Sequence, residues 1–345
     1  MDFSKKLIAW YLENKRDLPW RNTTHPYPVW LSEIILQQTR VAQGLPYFES
    51  FLNTFPTVFD LAEASEEEIL KLWQGLGYYS RARNLHQTAK TIAIQYNGEF
   101  PKTYKELLQL KGVGSYTAAA IASFCYEEPV AVLDGNVFRV LSRYYGIATD
   151  ISSPKGKTEF TALANEVMSR QHPSQYNQAI MEFGALQCVP KNPDCMVCVL
   201  KDSCAALQHK KVNELPVKSK KIKQTNRYFN YLIVEDEHQN IVIQKRTQKG
   251  IWYNLYEFPL IETEGEMDLK ELSNLIEKES VVEHSILEII EMNDESIIHL
   301  LSHQKLFIKF WWIKTGGKNT AALSWEEIKK RPFPIVVYNF IEKYF

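Results

Sequence analysis

Apolar residues recur at helical spacing through the first two hundred residues of the chain. One set that shares a face is Phe3, Leu7, Trp10 and Tyr11. A second set, placed around the polar residues 37–39, is Ile34, Ile35, Val41 and Ala42. Ser65 followed by Glu68 three positions later has the pattern of a capping box at a helix start. Since no stretch here alternates as a strand does, this half is predicted to be all-α.

The pattern changes near Pro216, where a lysine-rich stretch predicts a linker. Beyond it, strands are predicted at residues 228–234, 240–244 and 306–313. Helical spacing returns at residues 269–276 and 335–344. The sequence therefore predicts two different domains, divided as a helical domain over 1–215, a basic linker over 216–226 and an α+β domain over 227–345.

Composition fits this division, because 345 residues are enough for two domains that each bury a core. Hydrophobic residues make up 45% of the chain and charged residues 23%, as in ordinary globular proteins. The first residues lack the apolar run of a signal peptide, and the small-apolar stretch 118–124 is too short to span a bilayer. We therefore expect a cytoplasmic protein with no membrane partner.

Charge is unevenly distributed, although the net charge is only −1. Residues 1–225 carry 26 basic and 22 acidic residues, whereas residues 226–345 carry 14 and 19. Much of the excess lies in one run: Lys210, Lys211, Lys218, Lys220, Lys221 and Lys223. A solvated linker is the simpler interpretation of that run, and a phosphate-binding first half is compatible with it.

Four of the five cysteines lie close together, as Cys188, Cys195, Cys198 and Cys204. In a reducing compartment such a group is expected to bind metal rather than to form disulfides. Zinc ribbons pair two short Cys-x2-Cys knuckles, but here only the middle pair is close, so the spacing favours an iron–sulphur cluster over zinc. Cys125 stands apart and is interpreted as a small core residue.

Two glycines, Gly112 and Gly114, lie between apolar residues that precede and follow a predicted turn. This is the pattern of a helix-hairpin-helix, in which bare backbone N–H groups at a helix N-terminus approach a phosphate independently of sequence. The motif is short, and any tight turn between helices can use glycine. Asp134 lies farther along, before a helical stretch, where an ordinary helix N-cap is the alternative interpretation.

In their shared order, these motifs resemble those of the endonuclease III superfamily and, within it, the MutY-type adenine DNA glycosylases. The stretches that carry the resemblance are residues 18–21, 32–39, 75–85, 110–117, 133–137 and 188–204. The resemblance covers nearly the whole chain. It implies a multidomain fold: an all-α helix-hairpin-helix glycosylase domain with a [4Fe–4S] loop over 188–204, followed by an α+β Nudix-like domain.

The resemblance also implies the catalytic residues. Glu33 matches the general acid that protonates N7 of adenine, and Asp134 matches the carboxylate that stabilises an oxocarbenium-like sugar. Tyr116 and Asn136 would orient these carboxylates and the water. Bifunctional relatives have a lysine where this chain has Tyr116, so a monofunctional hydrolase is expected. Without the resemblance, a solvated helical glutamate would be the better interpretation of Glu33.

DNA-contacting residues follow from the same resemblance. Trp20, Arg21 and Gln178 match residues that line the adenine pocket. Gln38 and Tyr78, with Leu76 beside them, match the wedge that fills the base stack when adenine rotates out. Gly112 and Gly114 match the hairpin that contacts DNA. A core aromatic is the alternative for Tyr78, although its glycine-rich surroundings favour a loop tip.

The second domain resembles the Nudix-like domain of the same family through residues 250–259. The acidic magnesium-binding box of a Nudix hydrolase is missing from residues 269–279, so pyrophosphatase activity is not expected. The family reads 8-oxoguanine with a Phe-Ser-His loop, to which Ser302 and His303 correspond. Leu301 departs from that pattern, which puts aromatic packing there in doubt.

The sequence thus predicts a monofunctional adenine DNA glycosylase of base excision repair. Its partner would be double-stranded DNA with adenine opposite 8-oxoguanine or guanine, and it would act as a nucleoid-associated monomer. An endonuclease III-like lyase on oxidised pyrimidines is the alternative, which Tyr116 and the second domain disfavour. A catalytically silent DNA-binding protein is disfavoured by the presence of both Glu33 and Asp134, and a Nudix hydrolase by its missing box.

Overall fold

A computed structural model describes residues 3–219, 224–279 and 282–345. Its contacts divide the chain into two compact units. The first contains Met1–Ala64 and Arg83–Lys220, and the second contains Ser65–Ala82 and Lys221–Phe345. The segment Ser65–Ala82 thus folds with the C-terminal part of the chain. The predicted boundaries of 1–215, 216–226 and 227–345 stay a prediction, and they do not include the assignment of Ser65–Ala82 to the second unit.

Over its described residues, the regular elements of the first unit are all helices, which confirms the predicted all-α class. Its helices are α1 Phe3–Asn14, α2 Pro26–Ile35, α3 Val41–Thr54, α4 Val58–Glu63, α6 Ser80–Gln95 (shared with the second unit), α7 Tyr104–Leu107, α8 Ser115–Tyr126, α9 Gly135–Tyr145, α10 Pro154–Val167, α11 Pro173–Leu186 and α12 Ala205–Gln208. Helix α5, Glu66–Leu72, precedes α6 and belongs to the second unit. Single 3₁₀ turns lie at Pro19–Arg21 and Lys201–Ser203.

The core of the first unit forms where α1, α8, α9 and α11 meet. Helix α8 buries its residues from Thr117 to Ser123, because a run of alanines lets neighbouring helices approach it closely. Larger side chains from the surrounding helices complete this core, among them Leu7, Phe160 and Phe183. The centre of this core is therefore α8, a helix with small side chains. Residues at the ends of α8 lie close to the helices that pack against it.

Helix starts follow local sequence signals. Ser65 and Glu68 cap α5 reciprocally, which confirms the predicted capping box. Residues 34–42 differ from the continuous helical spacing of the sequence, since α2 ends at Ile35 and α3 begins at Val41. Gln38 has a φ of 57° in the turn between them, a left-handed conformation that interrupts the helix.

The second unit is an α+β fold, as predicted. Its elements after α5 are β1 Thr225–Glu235, β2 Ile241–Val242, β3 Gln244–Lys245, β4 Tyr256–Glu257, β5 Leu260–Thr263, α13 Leu269–Glu279, β6 Ser285–Glu291, β7 Ile297–Leu300, β8 Gln304–Gly316, β9 Ala322–Leu323, α14 Trp325–Lys329 and α15 Ile335–Tyr344. The predicted strand over 240–244 is divided between β2 and β3.

A mixed sheet organises this unit in the order β6-β8-β1-β2-β9, with β5 paired to β1 and β7 paired to β8. Strands β1 and β8 run parallel, from Thr225 opposite Gln304 to Glu235 opposite Lys314. Helix α13 covers one face through Leu272 and Ile276. On β8, Trp311 joins that face, while Phe310 stacks on Phe340 of α15 with ring centroids 3.7 Å apart. Burial on both faces explains why β8 is almost continuously apolar and aromatic.

Only part of the predicted basic linker is described. The amide of Ile151 donates to the carbonyl of Val217 at 3.0 Å, so the linker starts against the first unit. Lys220, Lys221 and Lys223 lie outside the described residues. Among the helices that the structure describes, none has the length and apolar composition needed to cross a membrane.

Candidate active site

Glu33 lies near the end of α2, where the helix packs against α8. Its side chain is buried, with 6% of its surface exposed, and it hydrogen-bonds to Tyr116 at the start of α8. The pKa of Glu33 is raised to about 7: burial is the main cause and the nearby Asp134 adds to it, while the Tyr116 hydrogen bond and Arg21 oppose the rise. Glu33 is therefore a carboxyl group that can hold or release a proton near neutral pH.

Asp134 is the N-cap of α9, as the alternative interpretation from the sequence predicted. Its Oδ1 accepts from the Val137 amide at 2.8 Å, and its Oδ2 accepts from Asn136 Nδ2 at 2.8 Å. Burial raises the pKa of Asp134, and these two donors oppose the rise. The Val137 amide and the Asn136 Nδ2 group are donors, so both contacts favour the ionised form of the carboxylate against the effect of burial.

Tyr116 hydrogen-bonds to Glu33 and interacts electrostatically with Asp134. Burial raises its pKa well above the usual value for tyrosine, and the charges of Glu33 and Asp134 raise it further. The phenol therefore keeps its proton and acts as a donor to Glu33. Its hydroxyl also lies 3.8 Å from Met181 Sδ on α11.

A buried ion cluster lies on the α11 side of the same site. Glu182 is 1% exposed and receives hydrogen bonds from Arg16 and Arg21, with Arg21 Nη1 at 2.9 Å and Nη2 at 2.8 Å. Burial alone would raise the pKa of Glu182, but the hydrogen bonds from Arg16 and Arg21 outweigh it and lower the pKa to about 2. Glu182 thus holds Arg16 and Arg21 in place, and this cluster of two arginines and one ionised glutamate carries a net positive charge.

These groups surround one cavity of about 930 Å³ in the first unit. That volume is at the upper end of the range for small-molecule pockets, so it can take a nucleotide base with its sugar. The predicted site residues that line it are Trp20, Arg21, Glu33, Gln38, Gly112, Gly114, Tyr116, Asp134, Asn136 and Gln178. The structure therefore brings together ten residues that are scattered along the sequence from Trp20 to Gln178.

The hairpin glycines adopt the backbone that their motif requires. Gly112 has a φ of 76°, and a Cβ at this position would lie 2.7 Å from Cβ of Asn84. Gly114 is the N-cap of α8, with open space where its Cβ would be. The edge of the cavity thus presents a helix N-terminus without side chains in front of it, which suits a phosphate.

Helix α9 connects the site to the cysteine loop. Arg139 Nη2 donates to Asn136 Oδ1 at 2.8 Å and to the Gly184 carbonyl at 2.6 Å, while its Nε donates to the Cys188 carbonyl at 2.7 Å. One turn later, Arg143 Nη1 lies 3.4 Å from Cys188 Sγ. The position of Asn136, and with it Asp134, is therefore tied to the first cysteine of the loop.

The four clustered cysteines line a second, small cavity, together with apolar residues of α9 and α11. Burial raises the pKa of Cys195, Cys198 and Cys204, and the proximity of the other sulphurs adds to the rise. Over the described ranges, no three His, Cys, Asp or Glu side chains converge on a single metal ion. Ligands of a multi-iron cluster need not share one point, and N–H donors such as Leu200 to Cys198 Sγ at 3.4 Å suit cluster sulphurs, so these residues fit an iron–sulphur cluster.

Other predicted residues lie in the second unit. Tyr78 is 48% exposed at a loop tip with a φ of 47°, so it is not a core aromatic. Its hydroxyl lies 2.6 Å from Ser302 Oγ, in the turn between β7 and β8 that also carries His303. Leu76 is buried, with 6% of its surface exposed, so its contact with DNA stays a prediction.

Sequence reasoning missed Arg16, Arg139 and Glu182. The sequence gives one indication of this cluster: Glu182 is a charged residue in a stretch of α11 that is otherwise apolar and mostly buried. Nothing local pairs it with arginines more than 160 positions away. Only the packing of α1 and α11 brings them together.

Comparison with known proteins gives two matches along the chain. Residues 31–166 match the HhH-GPD superfamily of base excision DNA repair proteins, and residues 230–343 match a NUDIX domain. An adenine DNA glycosylase of Buchnera aphidicola subsp. Schizaphis graminum is 37% identical, over 76% of this chain and 75% of that protein. The adenine DNA glycosylase of Buchnera aphidicola subsp. Baizongia pistaciae is 35% identical, over 90% and 86%. The structure of a thermostable thymine-DNA glycosylase superposes with a TM-score of 0.56 at 27% identity, over 60% of this chain and 95% of that one.

Proposed function

The chain belongs to the adenine DNA glycosylases, and from this premise we propose that it hydrolyses the N-glycosidic bond of adenine opposite 8-oxoguanine or guanine, after the base has been flipped into the 930 Å³ cavity. Excision of adenine in base excision repair is the activity of the family. The observation that carries the finer proposal is the pair formed by a protonatable Glu33 and an acceptor-only Asp134 around Tyr116.

Glu33 is the general acid of this proposal. Adenine is a poor leaving group as an anion, so its N7 must receive a proton as the glycosidic bond breaks. A carboxyl group with an ordinary pKa near 4.5 would be ionised at neutral pH, whereas a pKa of about 7 leaves a large protonated fraction. Tyr116, which donates to the same carboxyl group, directs the proton-bearing oxygen into the cavity.

Asp134 stabilises the sugar. As the base departs, positive charge develops at C1′ and the ring oxygen, and a fixed carboxylate nearby lowers the free energy of that state. Asn136 and the Val137 amide hold both oxygens of Asp134 at 2.8 Å, so the carboxylate needs little reorganisation during the reaction. The attacking water would be oriented by Asn136 and Tyr116.

Tyr116 also supports a monofunctional hydrolase over a lyase. A lyase needs a lysine amine near C1′ to form a Schiff base, and the described residues of the cavity wall include no lysine. Lys111 precedes the hairpin and is exposed. The abasic product is therefore released with its strand intact.

Recognition of the lesion uses Gln38 at the cavity wall together with residues of the second unit. Tyr78 would enter the base stack as the wedge with Gln38, and Ser302 and His303 would read 8-oxoguanine opposite the adenine. Exposure of Tyr78 and its hydrogen bond to Ser302 support these roles, since wedge and reader already lie side by side. The protein would act as a monomer on double-stranded DNA.

Cys188, Cys195, Cys198 and Cys204 would hold a [4Fe–4S] cluster. When bound, the cluster supplies covalent thiolate bonds that fix the loop 188–204 without taking part in hydrolysis. Arg139 and Arg143 then connect this fixed loop to α9 and to Asn136. The loop therefore positions the Asp134 end of α9.

One assay tests the proposal. Duplexes with adenine opposite 8-oxoguanine, adenine opposite guanine and thymine glycol opposite adenine are incubated with excess enzyme, then analysed with and without alkali. The expected result is cleavage only after alkali, at the adenine of the first two duplexes. Breaks at thymine glycol without alkali, with borohydride trapping of the enzyme on DNA, would show the lyase alternative instead.

A further inference from the structure

The segment Ser65–Ala82, called the wedge segment below, carries Tyr78 but is compact with the C-terminal part of the chain. It consists of α5, a glycine-rich loop and the first turn of α6. Three polar groups hold it there at its N-terminal end. Glu67 forms an ion pair with Arg331 and accepts from the Tyr256 hydroxyl at 3.1 Å, while Glu66 accepts from Asn254 Nδ2 at 2.5 Å.

Lys71, one turn farther along α5, binds the end of α14. Its ammonium donates to the Lys329 carbonyl at 2.6 Å and to the Arg331 carbonyl at 3.2 Å. It also lies 4.4 Å from the ring centroid of Tyr338. Carbonyls at a helix C-terminus lack partners within the helix, so the lysine satisfies groups that are otherwise exposed to water.

The end of the wedge segment is held as well. Gln74 Oε1 accepts from the Phe333 amide at 2.9 Å, and the Tyr79 hydroxyl donates to the Phe333 carbonyl at 3.3 Å. Residues on both sides of the tip thus bind one stretch of backbone, between α14 and α15.

The tip itself is built as a rigid turn. Gly75 and Gly77 have φ values of 101° and 69°. Tyr78, which follows them and precedes α6, has a φ of 47°. Arg81 Nη2 donates to the carbonyl of Gly77 at 3.2 Å, and Trp73 Nε1 donates to the same carbonyl at 3.0 Å. The tip therefore transmits the position of its two ends to Tyr78.

From these contacts we infer that the C-terminal part of the chain positions the wedge, with Glu67, Lys71 and Arg331 as positioning residues. The 2.6 Å contact from Tyr78 to Ser302 completes the arrangement, so that wedge and base reader move as one body. Opening of the stack is then coupled to contact with the opposite base. The inference rests on the proposed roles of Tyr78 and Ser302.

The test uses full-length, cluster-containing protein and a duplex that resists excision. A 2′-fluoro group on the target deoxyadenosine blocks hydrolysis, because it disfavours positive charge on the sugar. A 2-aminopurine placed beside the target, opposite the wedge step, becomes fluorescent when the stack opens. Stopped-flow fluorescence then reports insertion of the wedge separately from chemistry, and binding is measured on the same duplex.

Arg331→Ala and Glu67→Gln should each slow stack opening about fivefold, as expected for loss of a partly exposed ion pair, with duplex affinity nearly unchanged. Single-turnover excision of an ordinary adenine opposite 8-oxoguanine should slow by the same factor. The matched controls are Lys330→Ala and Glu326→Gln, which break an exposed ion pair on α14. Both controls should open the stack at the wild-type rate.

Exchanging the two charges of the Glu67–Arg331 pair distinguishes loss of the ion pair from poor folding of a variant. Glu67→Arg and Arg331→Glu should each be slow, and the double variant should recover most of the opening rate. Additive losses in the double variant would overturn the inference. Tyr78→Ala separates it from the proposed function: if Tyr78→Ala is slow while Arg331→Ala and Glu67→Gln open at the wild-type rate, only the positioning role is wrong. If Tyr78→Ala itself opens normally, the wedge role is wrong.

Discussion

Tyr116→Phe should change the pH dependence of excision in a direction that the structure determines. The Tyr116 hydroxyl donates to Glu33 and so favours the ionised form of that carboxyl group. Burial raises the pKa of Glu33 to about 7 in spite of this donor. Since the acid works in its protonated form, the rate should fall as pH rises through 7. Removing the hydroxyl removes one term that holds the pKa down, so the fall should move to higher pH.

The magnitude follows from the protonated fraction. With a pKa of about 7, roughly a tenth of Glu33 is protonated at pH 8. If the lost hydrogen bond is worth about one pKa unit, that fraction rises to about half. The maximal rate of Tyr116→Phe should be lower than that of the wild type, because Tyr116 also orients the site. Relative to its own maximum, however, the variant should be about fivefold faster at pH 8.

Single-turnover excision between pH 5.5 and 9 measures this shift without interference from product release. The matched control is Tyr126→Phe on the same helix, since that hydroxyl binds the Phe100 carbonyl. Its profile should coincide with that of the wild type. An alkaline limb that stays in place or moves to lower pH in Tyr116→Phe would refute the role of the hydroxyl, and a wild-type profile without an alkaline limb would refute Glu33 as the acid.

Three further outcomes are expected. Asp134→Asn should abolish excision of every substrate, whereas Glu33→Gln should recover partly on a target whose base leaves without protonation; recovery by Asp134→Asn and not by Glu33→Gln in a single-turnover assay would mean that the roles are reversed. Cys188→Ser should lower the iron content from about four per chain and the absorbance near roughly 400 nm, and should weaken DNA binding more than the excision step; unchanged absorbance would exclude a cluster bound by Cys188. Gly184→Ala should slow single-turnover excision by up to ~100-fold, because its Cβ would lie 2.7 Å from Cβ of Asn136 and displace the Asp134 end of α9, whereas Gly265→Ala, with open space around it, should have no effect.

Periodicity and local motifs predicted the elements because those signals act over a few residues. The helix of Phe3 and Leu7, the capping box of Ser65 and the strands around residues 228–234 and 306–313 are all present. What the sequence could not provide is pairing over long separations. Glu182 meets Arg16 across 166 positions, and Tyr78 meets Ser302 across 224. No pattern in a single sequence specifies such pairs, since each partner is an ordinary polar residue in its own surroundings.

Asp134 shows that a structural role as a helix N-cap and a proposed catalytic role are compatible in one residue. As the N-cap of α9 it must accept N–H donors, and those donors favour the ionised carboxylate against the cost of burial. The same ionised form is what an oxocarbenium-like sugar requires. Glu33, at the other end of Tyr116, lacks a comparable set of backbone donors, and burial therefore raises its pKa to about 7. The fold thus separates a base-like carboxylate from an acid-like one through their helix positions, because one caps a helix N-terminus and the other lies inside a buried helical face.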